Sequence, residues 1–366
     1  MRVLIAPDKF AGTLTAREAA TAIAAGWARR APDDDLDLAP MSDGGPGFVD
    51  VLHTSMDGEL TAVTVRGPYA DPVPATVLVV GDTAYVESAQ ACGLHLTKEA
   101  GDPEGASTYG VGELLLAARD AGASTIIVGL GGSGTTDGGA GLLAALGATA
   151  DRPLDGGCAG LKGVSEVDLA PARAAVEGLT LVAASDVDNP LTGLFGAAKI
   201  YGPQKGLPEE RLPAVDGVLE EWAAATDRRT ALGKGAGAAG GLGFGLLLLG
   251  ATREPGIGMV VERVGLADRA RTADLVITGE GAFDFSSGSG KVPYGVAEVA
   301  GAALRPCIAL AGQVSVGSRE MRTLGVESAY GMIDLVGEER SFADPHGALA
   351  DLAERVARTW SPRSPA

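Results

Sequence analysis

Residues 1–27 read MRVLIAPDKFAGTLTAREAATAIAAGW. Val3 to Ala6 is a short apolar run that stops at Pro7-Asp8, and Thr15 and Glu18 then stand three residues apart before an Ala-rich stretch reaching Trp27. That spacing is a capping box, in which a hydroxyl and a carboxylate satisfy the first free amides of a helix. The stretch predicts a strand, a loop and a helix. The same order returns late in the chain, with Asp274 to Thr278, a Gly-rich turn, a helix near 293–304 and a further apolar run from Cys307 to Ala311. Strands that alternate with helices pair in parallel, so the ends of the chain predict a layered α/β domain.

The middle of the chain is patterned differently. Leu60 to Val65, Ala75 to Val80 and Thr83 to Glu87 read as short strands joined by Gly-Pro, Asp-Pro and Gly-Asp turns, which predicts a mixed or antiparallel sheet. A helical pattern over 110–121, a strand from Thr125 to Val128, a Gly-rich loop and a helix to about 147 follow, and 150–175 reads as loop with weak helix. A second α/β domain inserted into the first accounts for this. A chain of 366 residues is also longer than one hydrophobic core usually serves.

The net charge of −18 opposes binding to nucleic-acid backbones or anionic lipid. Neither nucleic acid nor membrane is an expected partner. Cys92, Cys158 and Cys307 lie far apart without zinc or disulfide spacing, and His53, His95 and His346 form no metal or triad pattern. The opening strand lacks the marks of a signal peptide, and no apolar run is long enough to span a bilayer, so a cytoplasmic location is expected.

Four Gly-rich segments carry charged residues where strands are expected to end: Asp43-Gly44-Gly45, Gly129 to Gly139, Gly235 to Gly241 and Gly279-Glu280-Gly281. Ligands bind at the carboxyl ends of strands in open α/β sheets, and glycine lets backbone amides approach phosphates. Each segment is also readable as a tight turn or close packing. Two of them fit GxGxxG (129–134 and 235–240), which keeps a NAD(P)-dependent oxidoreductase acting on a small hydroxy acid open as an alternative. A Walker P-loop is absent, because Phe285 and Val292 occupy positions around Lys291 that it reserves for Gly and Ser/Thr. Asp186 and Asp188 follow the apolar run Leu181 to Ala184 and would share a side if the strand continued through them. Two such carboxylates invite a cation, and Mg2+ with a nucleotide is the natural one. Lys205 sits in a Gly/Pro loop placed to aim its ammonium at a phosphate or carboxylate.

In order along the chain, IAPDKFAGTLTAREAA, MSDGGPG, TYGVGELL, GLGGSGTTDGGAG, SDVDNPLTG, YGPQKG, GAGAAGGLG and TGEGAFD followed by GK resemble the bacterial class I glycerate kinase family. The resemblance implies ATP- and Mg2+-dependent phosphorylation of D-glycerate, typically to 2-phosphoglycerate. It also implies two α/β domains: a flavodoxin-like (Rossmann-like) parallel sheet built from both termini, 1–57 plus 257–366, and an inserted mixed-sheet domain, 58–256, with the active site in the cleft between them. A non-catalytic sugar-acid binding protein is a further alternative, and homo-oligomerisation is left open.

Roles follow as expectations. Asp186 and Asp188 hold Mg2+ or accept the hydroxyl proton, and Lys9 and Lys205 bind the carboxylate or the transferring phosphate. Asp8, Asp43, Gly44, Gly45, Asp284 and Lys291 meet the substrate. Gly131, Gly132, Ser133, Asp137, Gly237, Gly240, Gly241 and Glu280 meet the nucleotide. The chain departs from the family pattern at Pro46, where Glu is common, and at Ala282, where many members carry an Arg able to clamp a carboxylate or phosphate.

Overall fold

A computed structural model describes residues 1–10, 12–98, 101–284 and 290–361. By its contacts the chain divides into two compact units, one of residues 1–43, 50–56 and 257–366, the other of residues 44–49 and 57–256.

The first unit is a five-stranded, fully parallel sheet in the spatial order Ser328–Gly331, Cys307–Val314, Leu275–Phe283, Arg2–Ile5, Asp35–Leu38. Numbered along the unit, this is the order 2-1-3-4-5 of flavodoxin-like folds. The three inner strands are apolar without alternation because both faces are covered. Val3, Ile5, Leu275, Ile277, Ile308 and Leu310 pack under the helices Ala16–Arg30 and Pro345–Trp360. Leu4 and Val276, which point the other way, are equally buried, and helix Val292–Ala302 packs on the strands Leu275–Phe283 and Cys307–Val314. The capping box of Thr15 and Glu18 is formed in both directions. Two strands lacked a sequence signal: Asp35–Leu38 is half polar, and Ser328–Gly331 is short.

The second unit is a mixed sheet in the order Thr252–Glu254, Thr180–Ala184, Thr125–Gly129, Thr83–Glu87, Pro72–Val80, Glu59–Arg66, the first four parallel and the last two antiparallel. Its core joins these strands to helices Tyr109–Asp120, Ala140–Ala145, Leu212–Ala225 and Ala238–Leu248. The 150–175 segment holds two short helices and a two-residue antiparallel ladder, Thr149–Ala150 with Val167–Asp168. Three expectations need correction. Gly279-Glu280-Gly281 lies inside the strand Leu275–Phe283 of the first unit rather than in a turn at its end. The strand before Asp186 stops at Ala184 instead of running through the two aspartates. Gly235 to Gly241 follows the helical turn Arg228–Ala231 rather than a strand, and opens the helix Ala238–Leu248. Among the described residues no helix is long and apolar enough to cross a membrane.

Candidate active site

In the first unit the chemistry gathers where the strand order reverses, between Arg2–Ile5 and Leu275–Phe283, the switch point at which open α/β sheets bind ligands. The backbone past Ile5 keeps pairing on both sides. Ala6 and Asp8 donate to the carbonyls of Ile277 and Gly279, and Ala39 and Met41 donate to those of Ile5 and Pro7. This extended backbone delivers Asp8, Lys9 and Asp43 to one place. The Lys9 ammonium lies 3.4 Å from Asp8 Oδ1 and 3.7 Å from Asp43 Oδ1, and the Lys9 amide donates to Asp8 Oδ1 at 2.7 Å. Burial pushes the Asp8 carboxyl up to about 6, with Lys9 pulling it down and Asp43 adding to the rise.

Glu280, directly after Gly279, is buried on the neighbouring strand. Asp284 lies just beyond that strand, and Lys291 is the N-cap of helix Val292–Ala302; residues 285–289, including Phe285, are outside the described residues. Ala282 is exposed, in register with Gln313.

In the second unit the four parallel strands finish in one row, with Glu87 beside Gly129, Gly129 beside Ala184 and Ala184 beside Glu254. The loops that leave this row hold the remaining candidates. Gly44 accepts a hydrogen bond from the Gly131 amide at 3.0 Å, and a Cβ on Gly131 would stand 2.5 Å from the Gly45 Cα. Pro46 closes over Gly132, where an added Cβ would meet its ring at 2.5 Å. Glu87, which sequence reasoning missed, is buried beneath this turn and accepts from the amides of Gly47 and Val49 at 3.1 and 3.4 Å. Nothing in the strand Thr83–Glu87 distinguishes its last carboxylate until the distant turn arrives above it.

The loop from Gly131 to Gly139 is organised from inside. Asp137 is fully buried and accepts from the Thr108 amide and hydroxyl, both at 2.8 Å, and from the amides of Gly139 and Gly141 at 3.0 and 3.2 Å. Burial raises its carboxyl against these donors, and their number identifies Asp137 as the post that ties the loop to helix Tyr109–Asp120. Ser133 turns inward, sharing a hydrogen bond with Thr135 Oγ1 at 3.0 Å and donating to Ala239 O at 3.1 Å. Lys205 is buried with its Nζ 2.6 Å from Thr135 O, and burial brings its ammonium down to about 8. Gly237, Gly240 and Gly241 permit close approach: an added Cβ would meet Pro190 O at 2.2 Å, Thr135 O at 1.9 Å and Gly138 Cα at 2.5 Å.

Asp188 is exposed and held by two cations that sequence reasoning missed, Lys234 at 3.0 Å and Arg253 at 2.8 Å. The Lys234 hydrogen bond is foremost in keeping the Asp188 carboxyl below its usual range, with Arg253 acting in the same direction. Asp186 is half-buried two residues earlier on the same segment. Lys234 carries a weak sequence signal, a lysine among glycines; Arg253 has none, because only the pairing of Thr252–Glu254 beside Thr180–Ala184 brings it there.

Among the described residues no three His, Cys, Asp or Glu side chains gather into a metal cage. Mg2+ carried on a nucleotide takes only one or two protein carboxylates, the phosphates supplying other oxygens. Asp186 and Asp188 supply two carboxylates on one segment, of which Asp188 is already paired with Lys234 and Arg253. The loops do not fit the dinucleotide fingerprint: the helix after Gly129 to Gly134 begins only at Ala140, and no strand precedes Gly235.

Comparison with known proteins gives a concordant result. The model of the glycerate kinase family matches residues 3–361. A glycerate kinase of Halalkalibacterium halodurans is 40% identical over 98% of this chain and 98% of its own length. The glycerate 2-kinase of Escherichia coli is 34% identical, again over 98% of each. A solved structure assigned as glycerate kinase 2 of Salmonella typhimurium LT2 is 34% identical and superposes with a TM-score of 0.79 over 99% of this chain and 98% of that one.

Proposed function

From the premise that this chain belongs to the glycerate kinase family and is a glycerate kinase, we propose that it transfers the terminal phosphoryl group of Mg2+-bound ATP to the 2-hydroxyl of D-glycerate, releasing ADP and 2-phosphoglycerate. The observation that carries the reading is the Asp8–Lys9–Asp43 group at the switch point of the first unit.

Phosphoryl transfer asks a protein for positioning and charge neutralisation more than for covalent chemistry. Lys9 offers a cation to the substrate carboxylate or the incoming phosphate. Asp43 orients a hydroxyl. Asp8 receives the hydroxyl proton: a carboxylate whose ionisation lies at about 6 is charged at neutral pH yet more basic than an exposed one. Asp186 and Asp188 would hold Mg2+, which neutralises phosphate charge when bound, and Lys234 and Arg253 lie beside them for the phosphates. The loop from Gly131 to Gly139, held by Asp137 and Lys205, gives the nucleotide a stiff backbone surface.

ADP release with Mg2+-ATP and a panel of small hydroxy acids, with phosphorus NMR of the product, tests this. Turnover with D-glycerate and a phosphate on C2 is expected; turnover confined to another acid would assign the exposed Ala282 a change of specificity. Asp188→Asn is expected to stay folded, since the side chain is exposed, and to lose roughly 100-fold in turnover. A folded, fully active Asp188→Asn protein would remove this residue from the mechanism.

A further inference from the structure

The second unit contains a 300 Å³ cavity lined by Thr192, Glu220, Ala223, Arg228, Ala231 and Leu232, a size at the lower end of small-molecule sites. Three segments build it. On helix Leu212–Ala225, Asp216, Glu220 and Ala223 stand at i, i+4 and i+7 and so share one face. Buried Asp216 pairs with Lys199 at 2.8 Å and accepts from the Gly193 amide at 3.0 Å, which fixes the segment carrying Thr192. On the other side, helix Arg228–Ala231 is capped by Asp227, and its Ala231 carbonyl accepts from the Leu191 amide at 2.8 Å. The segment 191–193 is therefore bonded to both neighbouring walls, and the cavity is preformed.

The chemistry along these segments is ordered. Leu232 forms an apolar wall of the cavity and is 73% exposed, so a ligand in the cavity can reach it. Two residues later comes Lys234, which with Arg253 holds Asp188, and Asp188 begins the segment that reaches Thr192. A pocket that offers apolar walls, a carboxylate, a hydroxyl and the Arg228 guanidinium is thus followed, two residues beyond Leu232, by Lys234, which meets Arg253 of the strand Thr252–Glu254 at Asp188. A nucleotide has the matching order: a flat base bearing hydrogen-bond donors, a ribose, then polyphosphate.

We propose that this cavity receives the base and ribose of the nucleotide donor, with Leu232 against the base, Glu220 and Thr192 hydrogen-bonding its edge, and Lys234 and Arg253 meeting the phosphates. The inference rests on the kinase reading above and adds where the donor binds. The test compares wild type with Leu232→Glu and the milder Leu232→Ser, both at an exposed position, measuring ADP binding by calorimetry and KM for ATP and for glycerate. Leu232→Glu is expected to weaken ADP binding and raise the ATP KM by 10-fold or more, Leu232→Ser by less, with the glycerate KM and melting temperature unchanged. Wild type that binds ADP alongside variants that bind it equally would overturn the proposed site and leave the kinase reading standing. Wild type that binds no ADP would overturn both. A change in sedimentation without a change in KM would identify Leu232 as part of a self-association surface and overturn the site.

Discussion

Asp8→Asn should yield a folded protein that is more stable at pH 7 than the wild type yet turns over at least roughly 100-fold more slowly. Asp8 is buried, and its carboxyl is held at about 6 against an ordinary 3.8. The folded protein keeps a proton there that the unfolded chain releases between about pH 4 and 6. Stability contributed by this group therefore falls as pH rises through that window. At about 1.4 kcal/mol per pH unit, the ionised carboxylate costs up to about 3 kcal/mol at pH 7, and the uncharged amide avoids that cost. Below pH 4 the two proteins should unfold alike. Chemical denaturation at pH 3.5 and pH 7, with turnover measured from pH 5 to 8, checks both halves. The wild type should lose rate below about pH 6, and the variant should show no such limb. Equal stability at pH 7 would mean that burial does not raise the ionisation of this carboxyl, and undiminished turnover would take Asp8 out of the chemistry.

The second large effect is expected at Gly240. Its φ is +70°, a left-handed conformation in which a side chain is strained, and a Cβ there would stand 1.9 Å from Thr135 O and 2.7 Å from the Lys205 ammonium. Neither neighbour can yield cheaply, since one is backbone and the other is a buried cation bonded to it at 2.6 Å. Gly240→Ala should cost about 3 kcal/mol or more, combining backbone strain with overpacking. For a unit of this size that corresponds to a fall in Tm of roughly 6–12 °C. The Gly131 to Gly139 loop should loosen with it, so the ATP KM should rise even in the protein that remains folded. Thermal unfolding and steady-state kinetics on one preparation decide it; an unchanged Tm would mean that the two loops stand further apart than described.

These two positions differ in how far the sequence could announce them. Asp8 was legible because a strand that stops at Pro-Asp in an α/β pattern puts its next side chains at a sheet edge where ligands bind. Gly240 was read as a phosphate-facing glycine, and its tertiary surroundings show a residue that lets Thr135 and Lys205 close on the chain behind it. Composition cannot separate the two readings, because a missing Cβ admits a ligand and a neighbouring backbone equally well. Asp137 follows the same logic, as a carboxylate in a Gly-rich loop whose partner Thr108 lies 29 residues earlier. Glu87 and Arg253 had no local mark at all.

Local chemistry in the sequence settled the alternation of strand and helix, the capped first helix, the change of pattern in the middle of the chain and the acidic, glycine-rich character of the strand ends. These are properties of neighbours within a few residues, where periodicity and capping act. Only the tertiary structure decided which strand lies beside which, where the first sheet reverses its order, and whether a given aspartate faces a ligand or holds a loop. Those outcomes depend on contacts between residues distant in sequence, such as Asp8 with Gly279, Asp188 with Arg253 and Lys205 with Thr135. Burial then decides the charge state, because the cost of ionising a carboxyl or an ammonium is set by everything packed around it.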